Sequence, residues 1–286
     1  MTTTTAPGGT PVAHRDHLVA AVARRAARSL LNGAIFAVLG LLLWEGLVKA
    51  SGITPFIAKS PGDAYHYLFT DPLAAAHRAA LNHAFWTMAR DATVGFVAGT
   101  TAGVVLATLF AVRPATSHAV MPVAMALRTV PLVAMVPLIE LVFGNGLMAV
   151  AVIAGIVTFF PTLVNVNLAL RSVPQESFDL MHGYGASRIT TLRKVQLPGA
   201  LPALFASARI AAPLALVGAL LFEWLSTNAS GMGYLMLTSS QQGDYAMVWS
   251  AVVLTVVASV ILYSVISGLE TLVLARFAPN QARQVL

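Results

Sequence analysis

The sequence predicts an all-α polytopic membrane protein with about six transmembrane helices and with both termini in the cytoplasm. Hydrophobic residues make up 57% of the 286 residues and charged residues only 10%, whereas a soluble domain carries about a quarter charged residues. A soluble core of this length would need more charge on its surface. The apolar residues gather in stretches that can cross a bilayer, which needs about 20 helical residues. We therefore expect lipid to be the main solvent of this chain.

Six stretches of the chain are long and apolar enough to serve as spans. We expect them to form one membrane domain over residues 30–277. The preceding residues, 1–29, begin with a Thr-, Gly- and Pro-rich run that predicts disorder, and residues 278–286 form a short tail. The predicted spans are Leu30–Val48, Phe85–Val112, Ala119–Phe143, Leu147–Leu170, Leu204–Leu225 and Val248–Leu274.

The distribution of basic residues predicts the orientation of these spans. Loops on the cytoplasmic side of membrane proteins carry an excess of lysine and arginine. If the N-terminus is cytoplasmic, twelve basic residues fall inside and three fall outside, so the C-terminus is also predicted to be cytoplasmic. The net charge of +6 then reflects topology and not a nucleic-acid partner. The inside residues are Arg15, Arg24, Arg25, Arg28, Arg113, Arg171, Arg188, Arg193, Lys194, Arg209, Arg276 and Arg283, and the outside residues are Lys49, Lys59 and Arg78.

Two local patterns predict further structure on the outer side and in the second span. The stretch SPGDAYHYLF predicts a capped helix that begins after Pro61 in the outer loop. In the second span, Gly95, Gly99 and Gly103 are spaced so that three small residues lie on one helix face. Such a ridge predicts the close approach of another helix, and it is compatible with packing inside the chain or against a second copy.

The segment HGYGASRITTLRKVQLPGALP interrupts the apolar sequence between the fourth and fifth predicted spans, on the predicted cytoplasmic side. Gly183 and Gly185 predict a break between two helices, because glycine adopts turn conformations that other residues avoid. Ser187 is a suitable cap for the second helix, which we expect to end at Pro198. The apolar side of this helix–turn–helix is too small for a core and suits docking to a partner. Its apolar positions are Leu180, Met181, Tyr184, Ile189, Leu192 and Val195.

The spacing within this segment resembles a motif of the permease subunits of binding-protein-dependent ABC importers, in particular the nitrate, sulfonate and taurine group. That motif reads Glu-Ala-Ala, three residues, Gly, nine residues, Ile, one residue, Leu-Pro. This chain has the same spacing, with Asp179-Leu180-Met181 in place of Glu-Ala-Ala. Other stretches between Leu30 and Phe277 are similar to the same group. They are LRTVPLVAMVPL followed by FGNG, FFPTLVNVNLAL, LPGALPALFASARIAAPLALVGALLFEW and GMGYLM.

The resemblance implies a transport subunit that is not itself an enzyme and that holds no cofactor. Two permeases, this chain and a second copy or a homologue, would form a pathway in the inner membrane of a bacterial-type cell. Two cytoplasmic ABC ATPases would receive the coupling loop, residues 171–203, and an external binding protein would deliver a small polar or anionic solute. The ATPase-coupling residues implied in this way are Asp179, Gly183, Gly185, Ala186, Ser187, Val195, Leu197 and Pro198.

Four polar residues in the predicted spans are candidates for the solute pathway. Arg128 lies well inside the third span, where an unpaired charge is costly and faces a cavity or the interior of a bundle. Pro131 and Pro137 follow it and predict a kinked or partly unwound span, because each removes a backbone hydrogen bond. The other three candidates are Asn165, Glu223 and Glu140. Structural roles remain open for each of them, as an ion pair, a helix bridge or a solvated carboxylate.

Two other classes of function are compatible with a polytopic chain. An intramembrane enzyme would need a catalytic or metal-binding motif, and the sequence contains no HExxH or GxSxG; His77 and His83 alone do not predict a metal site. A secondary transporter or channel would move its solute without an ATPase. No internal repeat or pair of interrupted segments typical of secondary transporters is apparent. The sequence does not identify the solute.

Overall fold

The computed structural model describes residue 33, residue 35, residues 37–226 and residues 230–277, and all regular elements in these parts of the chain are helical. The predicted tails, residues 1–29 and 278–286, lie outside the described residues, as does the start of the first predicted span. Two units are present: one ends at Tyr65 and the other begins at His66. The expected single domain over residues 30–277 stays a prediction.

The helices follow one another with short connections. In chain order they are α1 (residues 37–50), α2 (Pro61–Phe69), α3 (Ala74–Val112), α4 (Pro114–Arg128), α5 (Leu132–Phe143), α6 (Leu147–Arg171), α7 (Gln175–Gly183), α8 (Arg188–Thr191), a π-helical turn (Leu192–Gln196), α9 (Leu197–Leu225), α10 (Met232–Gln241) and α11 (Tyr245–Phe277).

The first unit contains α1 and the start of α2. The indole N–H of Trp44 donates a 3.0 Å hydrogen bond to the backbone carbonyl of Lys59, which ties α1 to the loop that precedes α2. The helix that was predicted after Pro61 is confirmed, and its start is capped. Ser60 Oγ accepts from the backbone N–H of Asp63 at 3.1 Å, while Asp63 Oδ2 accepts from the backbone N–H of Ser60 at 2.9 Å. Reciprocal bonds of this kind satisfy two donors that a helix start leaves unpaired.

Four helical stretches within the described residues are long and apolar enough to cross a membrane. The second, fourth, fifth and sixth predicted spans each coincide with one of them, although α3 begins before the predicted Phe85 and the fifth span begins at Arg188. The total of six spans and the orientation of the chain stay predictions. The four stretches are Ala74–Val112, Leu147–Arg171, Arg188–Leu225 and Tyr245–Leu274.

The third predicted span, Ala119–Phe143, is divided between two helices in the structure. The chain leaves helical geometry after Arg128 and resumes it at Leu132, so α4 and α5 are separate helices. Pro131 explains the break, because it has an extended backbone (φ −60°, ψ 121°) and offers no N–H to the preceding turn. The unwinding that we predicted from the two prolines therefore occurs at Pro131. Pro137 lies within α5 and does not interrupt it.

The glycine ridge of α3 packs against α6 of the same chain. A Cβ atom at Gly95 would lie 2.5 Å from the Cβ of Ala154, and one at Gly99 would overlap the carbonyl oxygen of Gly155 and the hydroxyl of Thr158. Only glycine allows two helix backbones to come this close. The close approach predicted from the spacing is confirmed, and the ridge is used inside the chain and not against a second copy.

An ion pair links α9 to α11 in the second unit. Arg209 Nη1 lies 3.0 Å from Glu270 Oε2, and the guanidinium also lies 5.9 Å from the centre of the Tyr263 ring. Glu270 is buried, with 2% of its surface exposed. Arg209 was counted among the cytoplasmic charges, and the structure instead places it inside a candidate span with a carboxylate partner. Pairing of this kind is how charges are tolerated at membrane depth.

Candidate functional site

The turn between α7 and α8 is built around Gly185. Its φ of +67° lies in the left-handed region. The N–H of Gly185 donates to the carbonyl of His182 at 2.8 Å, and the N–H of Ala186 donates to the carbonyl of Met181 at 2.9 Å. This pair of bonds is the Schellman motif, which caps the free carbonyls at a helix end and places glycine at the left-handed position. The predicted break is thus formed by Gly185, while Gly183 is the last residue of α7.

Ser187 caps the second helix of the segment, as predicted. Its Oγ accepts a 3.3 Å hydrogen bond from the backbone N–H of Thr190. The expectation that this helix ends at Pro198 is wrong. The chain passes through the π-helical turn directly into α9, and the N–H of Leu197 donates to the carbonyl of Leu192, five residues earlier. Pro198 is tolerated because it lies in the first turn of α9, where its missing N–H costs little.

The π-helical turn is anchored to the body of the second unit. Leu192 is 6% exposed and packs in an apolar cluster with Leu163 and Leu170 of α6. The side-chain amide of Gln196 donates a 2.9 Å hydrogen bond to the carbonyl of Leu170. Leu192 was predicted to lie on the apolar docking side, and its burial in this cluster removes it from that surface. The segment is therefore fixed to α6 at its C-terminal end.

The remaining part of the segment presents an exposed surface. None of the residues of α7 is buried, and Leu180, Tyr184 and Ile189 are 60%, 80% and 54% exposed. Asp179 is also exposed, and its Oδ1 accepts a 3.0 Å hydrogen bond from the side-chain amide of Gln175. Asp179 also lines an open groove of about 400 Å³, together with Phe178, His182, Ala186 and Arg188. We call Leu180, Tyr184 and Ile189 the apolar patch.

Two of the four predicted pathway residues, Arg128 and Asn165, line the same cavity. This cavity has a volume of about 470 Å³ and is formed by residues of α4, α5, α6 and α9 and of the break between α4 and α5. Arg128 is the last residue of α4, immediately before the break at Pro131. All the other lining residues are apolar, Met135, Phe160 and Leu214 among them. The structure thus brings one cation and one amide together in an apolar cavity.

A second cavity adjoins the first. It has a volume of about 610 Å³ and shares Asn165 and Ile210 with the Arg128 cavity. Its lining continues along α6 and α9 to Ser172, Pro174 and Gly199, beside the start of α7. We call the two adjoining cavities the α6–α9 groove. The groove therefore extends from Arg128 to the start of α7.

Glu223 and Glu140 lie outside the lining of this groove. Glu223 is fully buried, and its Oε2 accepts a 2.9 Å hydrogen bond from the N–H of Gly233 in the first turn of α10. A carboxylate is stabilised at a helix N-terminus by such N–H groups. Glu140 Oε1 accepts a 2.7 Å hydrogen bond from Ser226 Oγ, just after α9. Both glutamates hold helix ends together in the structure, and their role in a pathway stays a prediction.

One polar contact that the sequence did not predict lies near the ends of α2 and α11. The hydroxyl of Tyr67 donates a 2.5 Å hydrogen bond to Asp244 Oδ2, and the Tyr67 ring stacks on His77 at 3.8 Å. Burial, and then the hydrogen bond to the Asp244 carboxylate, raises the pKa of the Tyr67 phenol above its ordinary value. No local spacing signals this contact, because 177 positions separate Tyr67 from Asp244.

Comparison with known proteins agrees with the motif. Residues 99–278 match the family described as "binding-protein-dependent transport system inner membrane component". The chain belongs to this family. A "probable ABC transporter permease protein" of Haemophilus influenzae is 28% identical over 78% of this chain and 88% of its own length. The riboflavin transport system permease protein RibX of Chloroflexus aurantiacus is 35% identical over 56% of this chain and 59% of its own length.

Members of the sulfonate and nitrate group are also similar. The putative aliphatic sulfonates transport permease protein SsuC of Escherichia coli is 32% identical over 50% of this chain and 51% of its own length. A solved structure of inward-facing conformations of the MetNI methionine ABC transporter has the same fold, with a TM-score of 0.56 and 22% identity over 70% of this chain and 97% of the solved chain. The predicted family, fold class and permease function are confirmed.

Proposed function

We propose that this permease passes a small polar or anionic solute, delivered by an external binding protein, through a pathway driven by two cytoplasmic ABC ATPases. ATP hydrolysis takes place on those separate subunits. The observation that carries this proposal is the geometry of residues 175–196, from α7 to the end of the π-helical turn, which we call the coupling segment. It exposes the apolar patch at one end and is fixed to α6 by Leu192 and Gln196 at the other.

The anchored segment can transmit movement because it is continuous with a wall of the α6–α9 groove. A subunit that binds Leu180, Tyr184 and Ile189 moves α8 when it changes position. Because the helical stretch Arg188–Leu225 is continuous, this movement also reaches α9. Helices that move as rigid bodies about packed interfaces are a common basis of switching between two states. Closure of the ATPases then changes the distance between α9 and its neighbours and with it the width of the groove.

A second permease covers the open side of the groove. Arg128 and Asn165 line a groove that is open in one copy of the chain, and a charged side chain is costly wherever it faces lipid instead of protein or water. The Gly95–Gly103 ridge is occupied by α6, so the second copy or homologue binds elsewhere, along the groove. The pathway then lies between two permeases in the inner membrane.

The names of the relatives support a small solute, but they do not point to one compound. Their names refer to nitrate, bicarbonate and aliphatic sulfonates, and also to riboflavin and formylaminopyrimidine. All of these are small solutes, and several are anions. The alternative, a secondary transporter, would carry its solute without ATP, which a direct measurement distinguishes from the proposal.

Mild solubilisation of native membranes followed by affinity purification tests the proposal. We expect an ABC ATPase to purify with the wild-type chain and to be lost with Tyr184→Asp, because the charge disrupts an apolar contact. Tyr65→Asp is the matched control, since Tyr65 of the first unit is also exposed, at 62%. The proposal is wrong if Tyr184→Asp retains the ATPase, or if reconstituted wild-type protein takes up solute equally well without ATP.

A further inference from the structure

Two apolar clusters form the core of the second unit, and α4 and α5 pack in different ones. Ala124 of α4 is buried in a cluster with Leu192 of the coupling segment. Val136 of α5 is buried in a cluster with Phe222, near the end of α9. We call these the Leu192 cluster and the Phe222 cluster. The break between α4 and α5 therefore lies where this wall of the α6–α9 groove passes from one cluster to the other.

Each wall of the groove has a proline near the change from one cluster to the other. Pro131 lies in the break itself. In α6, Pro161 directly follows Phe160, the first buried α6 residue of the Leu192 cluster. In α9, Pro213 lies shortly before Ala215, the first buried α9 residue of the Phe222 cluster. Because proline removes a backbone hydrogen bond, the chain bends more easily at these positions than elsewhere in the walls.

The side chain of Arg171 joins the start of α4 to the end of α6. Its Nη2 donates a 2.8 Å hydrogen bond to Ser117 Oγ of α4, and its Nε donates a 3.2 Å hydrogen bond to Asn167 Oδ1 of α6. Ser117 and Ala124 are the buried residues of α4 among the side chains that the structure describes. Arg171 is the last residue of α6, directly before the connection to the coupling segment. The start of α4 is thus fixed close to that segment.

A second bond joins the coupling segment to the residues before α4. Arg188, the first residue of α8, donates a 3.4 Å hydrogen bond from Nη1 to the carbonyl of Val112, the last residue of α3. At the far end of α5, Glu140 accepts the bond from Ser226 that holds α5 to the end of α9. The polar contacts therefore divide in the same way as the apolar clusters, with α4 on the side of the coupling segment and α5 on the other.

We propose that Arg171 is a positioning residue for coupling, which acts through Ser117 to make α4 move with the coupling segment about the break at Pro131. The inference rests on the proposed function and deepens it by adding α4 to the walls that the ATPases move. A hinge of this kind needs only a few residues between two packed elements. Since α4 ends at Arg128, its movement relative to α5 changes the width of the groove at the break.

The absence of cysteine from the chain allows a direct test. The probe is the variant Val130→Cys, because Val130 lies in the break, lines the groove and is 43% exposed. The full-length protein is purified in detergent with its ATPase. The rate of modification by the neutral reagent methyl methanethiosulfonate is measured without nucleotide and with ATP and vanadate, which hold the ATPases closed. The ratio of the two rates is the nucleotide response.

We expect a nucleotide response of about threefold or more at position 130, as a shift between two populated states predicts. Thr70→Cys, on an exposed residue just after α2, should show none. Adding Arg171→Gln or Ser117→Ala to Val130→Cys should each reduce the response to below about 1.5-fold, because α4 no longer follows the segment. The two substitutions together should reduce it no further, since both remove the same bond. Arg171→Lys keeps a donor and should keep most of the response.

Arg113→Gln is the matched control, because it removes a positive charge beside the start of α4 and leaves the bond between Arg171 and Ser117 in place. Its response should equal that of the Val130→Cys parent. ATPase copurification and ATP hydrolysis are measured for every variant, and a purely structural role of Arg171 would lower these and not the response alone. If Arg171→Gln does not assemble with the ATPase, Ser117→Ala decides, since it removes only a hydroxyl.

The possible results distinguish the inference from the proposed function. A full response in Ser117→Ala, or in an assembled Arg171→Gln complex, overturns the role of Arg171. An equal loss of response in Arg113→Gln also overturns it, because the charge and not the bond is then responsible. If the Val130→Cys parent binds its ATPase but shows no response to ATP and vanadate, nucleotide does not move the groove. That result contradicts the proposed function itself.

Discussion

The side-chain amide of Gln196 donates a 2.9 Å hydrogen bond to the backbone carbonyl of Leu170, so the π-helical turn is tied to the end of α6. The carbonyl of Leu170 belongs to the last turn of α6, where carbonyls have no partner within the helix. The residue four positions later is Pro174, which has no N–H to donate. Gln196 therefore supplies a donor that the backbone cannot.

Gln196→Leu should destabilise the protein by about 1–2 kcal/mol, because it leaves a buried carbonyl without its donor. Thermal unfolding of the purified protein measures this loss. Gln175→Leu is the matched control: Gln175 is exposed and bonds only to Asp179 among the described residues, so its loss should change stability by less than about 0.5 kcal/mol. Equal effects of the two substitutions would show that the Gln196 bond contributes little.

The coupling segment was predictable from sequence because its features are local. The glycine turn, the serine cap and the motif spacing all lie within 20 residues, and each depends on backbone geometry close to the residue concerned. The contact between Gln196 and Leu170 was not predictable, since it joins residues of two helices across a turn. The burial of Leu192 was missed for the same reason, because periodicity identifies an apolar position but not the surface that covers it.

The exact break in the third predicted span could not be located from hydropathy. Hydropathy averages over a window, so Ala119–Phe143 reads as one apolar stretch, whereas the backbone follows the proline at position 131 and divides it into two helices. Arg128 and Asn165 were each recognised as unusual polar residues in spans. That they line the same cavity depends on how α4, α5, α6 and α9 pack, which one sequence does not specify.

Gly99→Ala should destabilise the protein by more than about 1 kcal/mol, since the added methyl group overlaps the backbone of Gly155 and the hydroxyl of Thr158. Gly268→Ala in α11 is the control, because nothing lies within 4 Å of a Cβ at that position. It should be neutral or stabilising, as alanine is preferred over glycine inside helices. Thermal unfolding in detergent compares the two. A stable Gly99→Ala protein with a changed oligomeric state would contradict the packing of this ridge against α6.

The ion pair between Arg209 and Glu270 predicts an effect that depends on both residues. Arg209→Met alone leaves the buried Glu270 carboxylate without its cation and should cost about 3–5 kcal/mol. The double substitution Arg209→Met and Glu270→Met removes both charges and should recover most of this loss. The measurement is the unfolding midpoint of the single and double variants. If the double variant is as unstable as the sum of the single ones, the two side chains do not act as a pair.

Gly185→Val should leave the amount of protein in the membrane near normal and weaken the association with the ATPase. The left-handed backbone at Gly185, with φ of +67°, strains a β-branched residue by about 1–3 kcal/mol. No atom lies within 4 Å of a Cβ at this position, so the effect comes from the backbone and not from a clash within the chain. Loss of the turn displaces α7 and with it Leu180 and Tyr184 of the apolar patch.

Three further variants separate this explanation from others. Gly183→Ala is the matched control, because Gly183 ends α7 without a positive φ and its Cβ position is open, so coupling should be preserved. Gly185→Asn should be milder than Gly185→Val, since asparagine tolerates the left-handed region. Asp179→Ala should reduce coupling less than Gly185→Val, because the exposed carboxylate bonds only to Gln175 among the described residues. ATPase copurification and ATP-dependent uptake in proteoliposomes measure these effects, and full retention of both by Gly185→Val would show that the segment does not couple the permease to the ATPase.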